Sequence, residues 1–248
     1  MELQKLYSKV RQCVDAYHMI EEGDRIALGI SGGKDSLSLL YALAGMRQFY
    51  PKRYELAAIT VDLGFEGFEV SGIEELCRQL GVEYHVVRTE IGRMSAAQGC
   101  SLCARLRKGA LNDEALRLGC NKIAYAHNMD DVVETMLLSL IYEGRFSTFW
   151  PVTPLEETGL VLIRPFAFVT QAEAIGFKNK YGLPVVENPC PYDRSSERAY
   201  VRELLAGINR HAPGVRKRMM TAICDGTIRE WAAQNRQEPK PDKAHEHE

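Results

Sequence analysis

Residues 25–36, which read RIALGISGGKDS, decide the fold of this chain. Residues 25–30 form a short apolar run bounded by Gly23 and by a glycine-rich turn, which is typical of a buried strand. The turn leads into a predicted helix from about Asp35. Backbone N–H groups in such a loop can converge on an anion at the start of the helix, so the stretch predicts a phosphate site.

Strand and helix patterns alternate on both sides of this stretch. An amphipathic helix is predicted at residues 3–20. Further strands are predicted at residues 56–62, 84–88 and 122–126, and further helices at residues 68–80, 102–118 and 132–142. Near-continuous apolar strands between helices indicate an α/β fold, in which a parallel sheet carries helices on both faces. Ligands of such folds bind beyond the carboxyl ends of the strands.

The alternation loosens after residue 151. An edge strand is predicted at residues 160–163, and helices at residues 197–209 and 215–234. We therefore divide the chain into an N-terminal helix (1–22), a phosphate-binding catalytic domain (23–190), a basic helical segment (191–234) and a polar tail (235–248) that we expect to be disordered.

Composition narrows the class of protein. A chain of 248 residues that is 46% hydrophobic can bury a substantial core. No apolar run is long enough for a membrane span, and the first ten residues include the charged Glu2, Lys5 and Lys9, so we expect a cytoplasmic protein without a membrane partner. Seven cysteines, an odd number, argue against a disulfide framework.

Charge is unevenly distributed along the chain. The formal net charge of −2 gives no global indication of nucleic-acid binding. Residues 194–218 nevertheless carry seven Lys or Arg against two Glu. This stretch is either a nucleic-acid contact or a solvated helical face.

The glycine-rich loop is neither a Walker A loop nor a dinucleotide fingerprint, because both spacings are absent. It resembles the S-G-G-x-D-S signature of the PP-loop ATP pyrophosphatases, which is matched at every fixed position. The resemblance implies cleavage of ATP between the α and β phosphates and transfer of AMP to a substrate. The implied ATP-binding residues of the loop are Ser31, Gly32, Gly33, Lys34, Asp35 and Ser36. Among them Lys34 would offset phosphate charge and Asp35 would place Mg²⁺. The alternative is an ordinary glycine turn capped by Asp35 or Ser36.

Three further acidic residues follow predicted strands. Asp62 ends the second strand, and Asp130 and Asp131 open a helix after the strand at residues 122–126. The PP-loop family binds nucleotide or metal at these places, which implies ATP-binding roles for Asp62 and Asp131 and catalytic roles for Asp35 and Asp130. The alternative for Asp130 and Asp131 is helix capping. We assign no chemistry to His127.

Cys100 and Cys103 form a C-x-x-C pair at the start of a predicted helix, and basic residues follow them. The helix dipole and these cations lower a thiol pKa, so we expect thiolates that can bind metal or sulfur. Cys190 lies between two prolines, which make the turn that presents it rigid. A structural zinc site, or a redox pair unrelated to Cys190, is the alternative.

Four motifs extend the resemblance over residues 25–220. They are CSLCARLRKG at 100–109, AHNMDD at 126–131, IRPF at 163–166 and NPCPY at 188–192. Together they resemble the tRNA 2-thiocytidine synthetases and their 2-thiouridine relatives. This resemblance implies a 4Fe-4S cluster held by Cys100, Cys103 and Cys190, with one iron left without a protein ligand for incoming sulfur.

The implied activity is ATP-dependent thiolation of tRNA, by adenylation of a base C2 carbonyl followed by sulfur transfer. Arg107 would be a catalytic cation beside the reacting base; alternatively it is a solvated helix charge. Expected partners are tRNA, a sulfur donor (a cysteine desulfurase or inorganic sulfide) and a second copy of the chain in a homodimer. The implied tRNA contacts are Arg198, Arg202, Arg210, Arg216, Lys217 and Arg218.

Substrate choice rests on two departures from the family patterns. Asn128 stands where the cytidine enzymes have a second histidine, which favours 2-thiouridine synthesis. The chain lacks the terminal zinc-binding C-x-x-C pairs that many uridine enzymes carry, which favours 2-thiocytidine. We favour 2-thiocytidine. A lysidine synthetase-like ligase or amidotransferase, and a nucleotide-sensing binding module, remain the alternatives.

Overall fold

The computed structural model describes residues 1–95, 100–186, 190 and 197–225. The predicted tail at residues 235–248 and the end of the predicted helix at 215–234 lie outside the described residues. None of the described helices is long and apolar enough to span a membrane.

A six-stranded sheet forms the centre of the chain, in the order β3-β2-β1-β4-β6-β5. Its strands are β1 (Asp24–Gly29), β2 (Tyr54–Asp62), β3 (Glu83–Arg88), β4 (Lys122–Ala124), β5 (Val152–Leu155) and β6 (Leu160–Ile163). All neighbouring strands are parallel except β5, which runs antiparallel to β6. The α/β fold expected from the sequence is confirmed.

Helices pack against this sheet and against one another. They are α1 (Leu3–Ala16), α2 (Lys34–Met46), α3 (Ser71–Gln79), α4 (Ile91–Ser95), α5 (Cys100–Arg117), α6 (Met129–Glu143), α7 (Gln171–Tyr181), α8 (Glu197–His211) and α9 (Val215–Asp225). Helix α2 contacts α1 and α7, whereas α5 contacts β2, β3 and β4. One core cluster joins Leu111 and Ala115 of α5 to Ala57 and Ile59 of β2 and Ile123 of β4.

The structure differs from the sequence-based prediction after residue 151. Residues 160–163 form β6, which is an inner strand between β4 and β5, so their prediction as an edge strand is wrong. The edge strand on this side of the sheet is β5, which is short and half-exposed. It was not predicted because it contains Pro154, and proline weakens the sequence pattern of a strand. Helix α7 was not predicted, although Thr170 and Glu173 form a capping box at its start.

The chain divides into two compact units, of which the first spans Met1–Arg202 and the second begins at Glu203. The first unit contains the whole sheet and α1 to α7. The domain boundaries that we drew at residues 22, 190 and 234 stay predictions.

Candidate active site

A cavity of about 510 Å³ opens at the carboxyl ends of β1, β2 and β4. This is the edge of a parallel sheet at which α/β folds bind ligands. The cavity is lined by residues of the glycine-rich loop, the end of β2, the second and third turns of α5 and the segment after β4. The polar and charged ones are Ser31, Asp35, Ser36, Asp62, Arg107, Lys108, Tyr125 and His127.

The glycine-rich loop holds its two serines together. Ser31 Oγ lies 3.2 Å from Ser36 Oγ, and Ser36 Oγ donates to the carbonyl of Gly33 at 2.9 Å. Gly33 is the N-cap of α2 and supplies no side-chain cap, so the first N–H groups of the helix are available to an anion. This arrangement is that of a phosphate-binding loop.

Gly32 is required by the backbone of this loop. Its φ of +80° favours glycine, and a Cβ at this position would lie 3.1 Å from Cβ of Val186. The amide of Val186 donates to the carbonyl of Gly32 at 3.0 Å. The loop is therefore tied to the segment that leads toward Cys190.

One oxygen of Asp35, Oδ1, makes no hydrogen bond of ordinary geometry among the described residues. The other, Oδ2, accepts from Nζ of Lys34 at 2.8 Å. Burial raises the pKa of Asp35, and the ion pair with Lys34 and a weaker contact with the Asn128 side chain oppose that rise. Asp62 lines the same cavity and its Oδ1 accepts from the amide of Gly64 at 2.9 Å. Two carboxylates thus reach the cavity beside the phosphate loop.

Asp131 makes the capping hydrogen bonds that we considered as its alternative role, whereas Asp130 bonds the start of another helix. Asp131 and Asn128 form a reciprocal capping box at the start of α6. Oδ2 of the buried Asp130 accepts from the amide of Gln171 at 2.7 Å, at the first residue of α7. Nucleotide binding by Asp131 and catalysis by Asp130 stay predictions.

The chain segments that carry Cys103 and Cys190 each contain or directly follow residues that line the cavity. Helix α5 begins at Cys100, and Cys103 is half-buried in its first turn. The next residue, Ala104, and Arg107 and Lys108 line the cavity. On the other side, Val186 lines the cavity four residues before the half-buried Cys190.

Cys103 and Cys190 are thiols of the kind that an iron–sulfur cluster needs. Within the described residues, no three His, Cys, Asp or Glu side chains form a metal-binding group. The side chain of Cys100 lies outside the described residues, so the predicted three-cysteine set stays a prediction.

His127 and Arg164 form a pair that the sequence did not reveal. His127 lines the cavity, and its Nδ1 accepts from Nε of Arg164 at 3.1 Å. Phe149 packs against both residues. Its ring centroid lies 4.7 Å from the centroid of the His127 ring and 4.8 Å from Cζ of Arg164. Arg164 directly follows the apolar residues 160–163, and this position is the sequence signal that could have indicated a buried role.

Basic residues occupy α8 and α9 as expected, but some of them make structural contacts. Arg202 donates to the buried Glu134 at 3.0 Å, and Arg218 donates to the carbonyls of Pro213 and Ala212. Arg210 and Lys217 are exposed, whereas Arg198 and Arg216 are half-buried. Their contact with tRNA stays a prediction.

A phosphate loop after the first strand of a mainly parallel sheet defines the class of nucleotide-binding α/β proteins. Residues 2–208 match the family described as the PP-loop domain. This chain belongs to that PP-loop family, in the group of the tRNA-cytidine(32) 2-sulfurtransferases.

The relatives behind this assignment are similar over nearly their whole length. The chain is 36% identical over 227 residues to the tRNA-cytidine(32) 2-sulfurtransferase of Citrifermentans bemidjiense, covering 88% of this chain and 89% of the relative. The same enzyme of Geotalea uraniireducens is 36% identical over 230 residues, covering 89% and 91%. A solved structure, the U34-tRNA thiolase NcsA from Methanococcus maripaludis with its 4Fe-4S cluster, is similar with a TM-score of 0.71 and 26% identity. It covers 88% of this chain and 76% of that chain.

Proposed function

We propose that the chain is an ATP-dependent tRNA sulfurtransferase that replaces O2 of a cytidine by sulfur. The observation that carries this proposal is the shared cavity: the phosphate loop, the carboxylates Asp35 and Asp62, and the helix that begins at Cys100 all border it. One bound base could therefore meet an activating nucleotide and a sulfur source without leaving the site.

The first step is adenylation of the base. The oxygen on C2 attacks the α-phosphorus of ATP, the bond to the bridging oxygen breaks, and pyrophosphate leaves. The serine hydroxyls and free helix N–H groups of the phosphate loop hold the pyrophosphate, and Lys34 offsets part of its charge. Hydrosulfide then adds to C2, the C2–O bond breaks, AMP departs with the former O2 oxygen, and the sulfur loses its proton to give the 2-thio base.

Mg²⁺ fits the acidic side of the cavity. The buried Oδ1 of Asp35 makes no hydrogen bond of ordinary geometry among the described residues, so it can serve as an oxygen ligand. Mg²⁺ is usually bound by one or two carboxylates together with phosphate oxygens, and Asp62 supplies a second carboxylate on the neighbouring strand.

A 4Fe-4S cluster fits the cysteine segments by donor chemistry: Cys103 is half-buried directly before Ala104, which lines the cavity, and Cys190 is a half-buried thiol four residues after Val186, which also lines it. Cys100, Cys103 and Cys190 would hold it. When bound, it would supply an iron site for the incoming sulfur. The physiological donor of that sulfur, a cysteine desulfurase or inorganic sulfide, stays a prediction, as does the homodimer.

Arg107 and Lys108 present two cations to the reacting base. Both line the cavity from α5, one helical turn after Cys103. Negative charge builds up on the ring as sulfur adds to C2, and a cation held in the cavity stabilises that charge.

An aromatic surface beside the cavity suits a single-stranded RNA loop. Trp150 is 58% exposed and Phe146 41% exposed, and exposed Arg145 accompanies them. The carbonyl of Trp150 accepts from Arg164, which also holds the cavity residue His127. Bases next to a flipped cytidine can stack on such rings.

The decisive experiment is mass spectrometry of tRNA nucleosides from cells with and without this protein. We expect loss of 2-thiocytidine, restored by the wild-type chain and by Cys224→Ala but not by Cys103→Ala. Cys224 is the matched control because it is an exposed cysteine of α9. Protein purified without oxygen should be brown, and Cys103→Ala should be colourless.

Other outcomes would redirect or refute the proposal. Loss of 2-thiouridine would select the uridine alternative, which Asn128 favours. Loss of lysidine, or an iron-free protein that still releases pyrophosphate, would favour a ligase of the lysidine synthetase type. Unchanged nucleosides together with ATP binding but no pyrophosphate release would favour a nucleotide-sensing module.

A further inference from the structure

The pair formed by His127 and Arg164 has no part in the mechanism described so far, yet it reaches the cavity. His127 follows β4, the strand beside β1, and lines the cavity together with the phosphate loop. Arg164 is buried at the end of β6, on the other side of β4. The two residues are therefore brought together only by the pairing of these strands.

The hydrogen bond between them determines the tautomer of the histidine. A guanidinium can only donate hydrogen bonds, so Nδ1 of His127 must be the acceptor of the 3.1 Å contact with Nε of Arg164. In a neutral imidazole the proton then resides on Nε2. The ring consequently carries its one N–H on the nitrogen that Arg164 does not occupy.

The surroundings keep this imidazole neutral. Burial, Arg164 and Arg198, in that order, lower the pKa of His127 to about 4. The ring is therefore a permanent donor near neutral pH and not a proton carrier.

Arg164 is itself held in place. Its Nη1 donates to the carbonyl of Trp150 and, at 3.1 Å, to Oγ1 of Thr153, and its guanidinium lies over the Phe149 ring. A side chain with so many fixed contacts can impose one orientation on the ring that it bonds.

We propose that Arg164 is a positioning residue that fixes His127 as the Nε2–H tautomer, so that this N–H donates to a non-bridging oxygen of the phosphate transferred from ATP. The phosphate loop on the adjacent strand places that group in the same cavity. The identity of the acceptor rests on the proposed adenylation, whereas the tautomer does not. No proton is transferred, and the N–H strengthens its bond as charge builds up on the phosphate.

The tautomer can be read by ¹⁵N NMR of the full chain labelled at histidine, with the His127 signals identified by their loss in His127→Gln. We expect Nε2 protonated and Nδ1 unprotonated in the wild type, and a mixture of tautomers in Arg164→Met. Thr153→Val is the matched control, because it removes another contact of Arg164 and should leave the His127 signals unchanged. A proton on Nδ1 in the wild type overturns the proposal without any variant.

Measurements of kcat distinguish a role of His127 Nε2–H as hydrogen-bond donor from a purely structural role of His127. The amide nitrogen of Gln occupies the place of Nε2, whereas that of Asn lies nearer the place of Nδ1. His127→Gln should therefore keep kcat for tRNA-dependent pyrophosphate release within about 10-fold, while His127→Asn and Arg164→Met should lose about 100-fold with little change in KM for ATP.

Equal losses in His127→Gln and His127→Asn would overturn the donor role of Nε2. A wild-type chain that releases no pyrophosphate with tRNA would refute the proposed function and with it the phosphate acceptor. The NMR comparison would still decide whether Arg164 sets the tautomer.

Discussion

Asp35 is mostly buried, and its Oδ1 makes no hydrogen bond of ordinary geometry among the described residues, which is a costly state for a carboxylate. This state of Asp35 suits cation binding, because a bound cation would interact with the Oδ1 atom. Glycine at position 32 and the paired serines at 31 and 36 shape the loop that holds Asp35 there.

Asp35→Asn should abolish activity without lowering stability. Under the proposed role of Asp35 as a Mg²⁺ ligand, loss of its carboxylate should slow pyrophosphate release by about 100-fold or more. Because the folded-state pKa of Asp35 is raised above 3.8, the ionised carboxylate costs the metal-free protein stability as pH rises through that pKa. Without Mg²⁺, the variant should therefore be at least as stable as the wild type near pH 7, and the difference should vanish at acid pH.

Urea unfolding between about pH 4 and about pH 8, together with a pyrophosphate assay, measures both effects. Asp113→Asn, at an exposed acidic position of α5, is the control and should change neither. A variant that is inactive and also clearly less stable than the wild type would show that Asp35 has a structural role.

At the scale of elements, α6 and α8 are joined by an ion pair that is buried on one side only. The Glu134 side chain is 1% exposed and the Arg202 side chain 50% exposed. Burial raises the pKa of Glu134, and Arg202 opposes that rise. Arg202 thus compensates a charge inside the fold, a role that does not depend on the predicted tRNA contact.

Arg202→Ala should lower the free energy of unfolding by about 1–2 kcal/mol, because it leaves the Glu134 carboxylate buried without its partner. The loss should not be larger, because the Arg202 side chain is half-exposed and solvent screens the ion pair. The pKa of Glu134 should rise further, so the loss should grow as pH increases from weakly acidic to weakly basic values. Thermal and urea unfolding at several pH values measure this.

Glu134→Gln in the Arg202→Ala background should recover part of the loss, since the buried charge is then absent. Arg11→Ala, which removes a half-exposed ion pair with Asp15 on α1, is the control and should cost less than about 0.5 kcal/mol. If the double variant is no more stable than Arg202→Ala, the ion pair does not account for the effect.

At the scale of the whole molecule, RNA binding at the aromatic surface of Phe146 and Trp150 can be tested by the fluorescence of tryptophan in the protein. The chain has two tryptophans, Trp150 and Trp231, so Trp231→Phe leaves Trp150 as the single reporter. An anticodon stem-loop should quench its emission, and Trp150→Ala should weaken RNA binding about 5- to 100-fold, as the loss of one stacked base predicts.

Ile175→Ala is the matched control, because Ile175 is an exposed apolar residue of α7, and it should leave RNA affinity unchanged. RNA that binds with full affinity while Trp150 emission stays constant would place the anticodon loop elsewhere.

The sequence by itself determined the features that depend on neighbouring residues. The apolar run at β1, the loop from Ser31 to Ser36 and the strand–helix alternation predicted the α/β fold and the phosphate site, because hydrophobic period and turn chemistry are local. The position of Asp62 at the end of β2 followed in the same way.

Only the tertiary structure decided which distant residues meet. His127 and Arg164 are 37 residues apart in sequence, and Glu134 and Arg202 are 68 residues apart. The edge position of β5 likewise follows from the pairing of β6 with both β4 and β5. Hydrogen-bond direction, burial and the resulting pKa shifts arise from contacts between elements, which residue spacing along the chain does not encode.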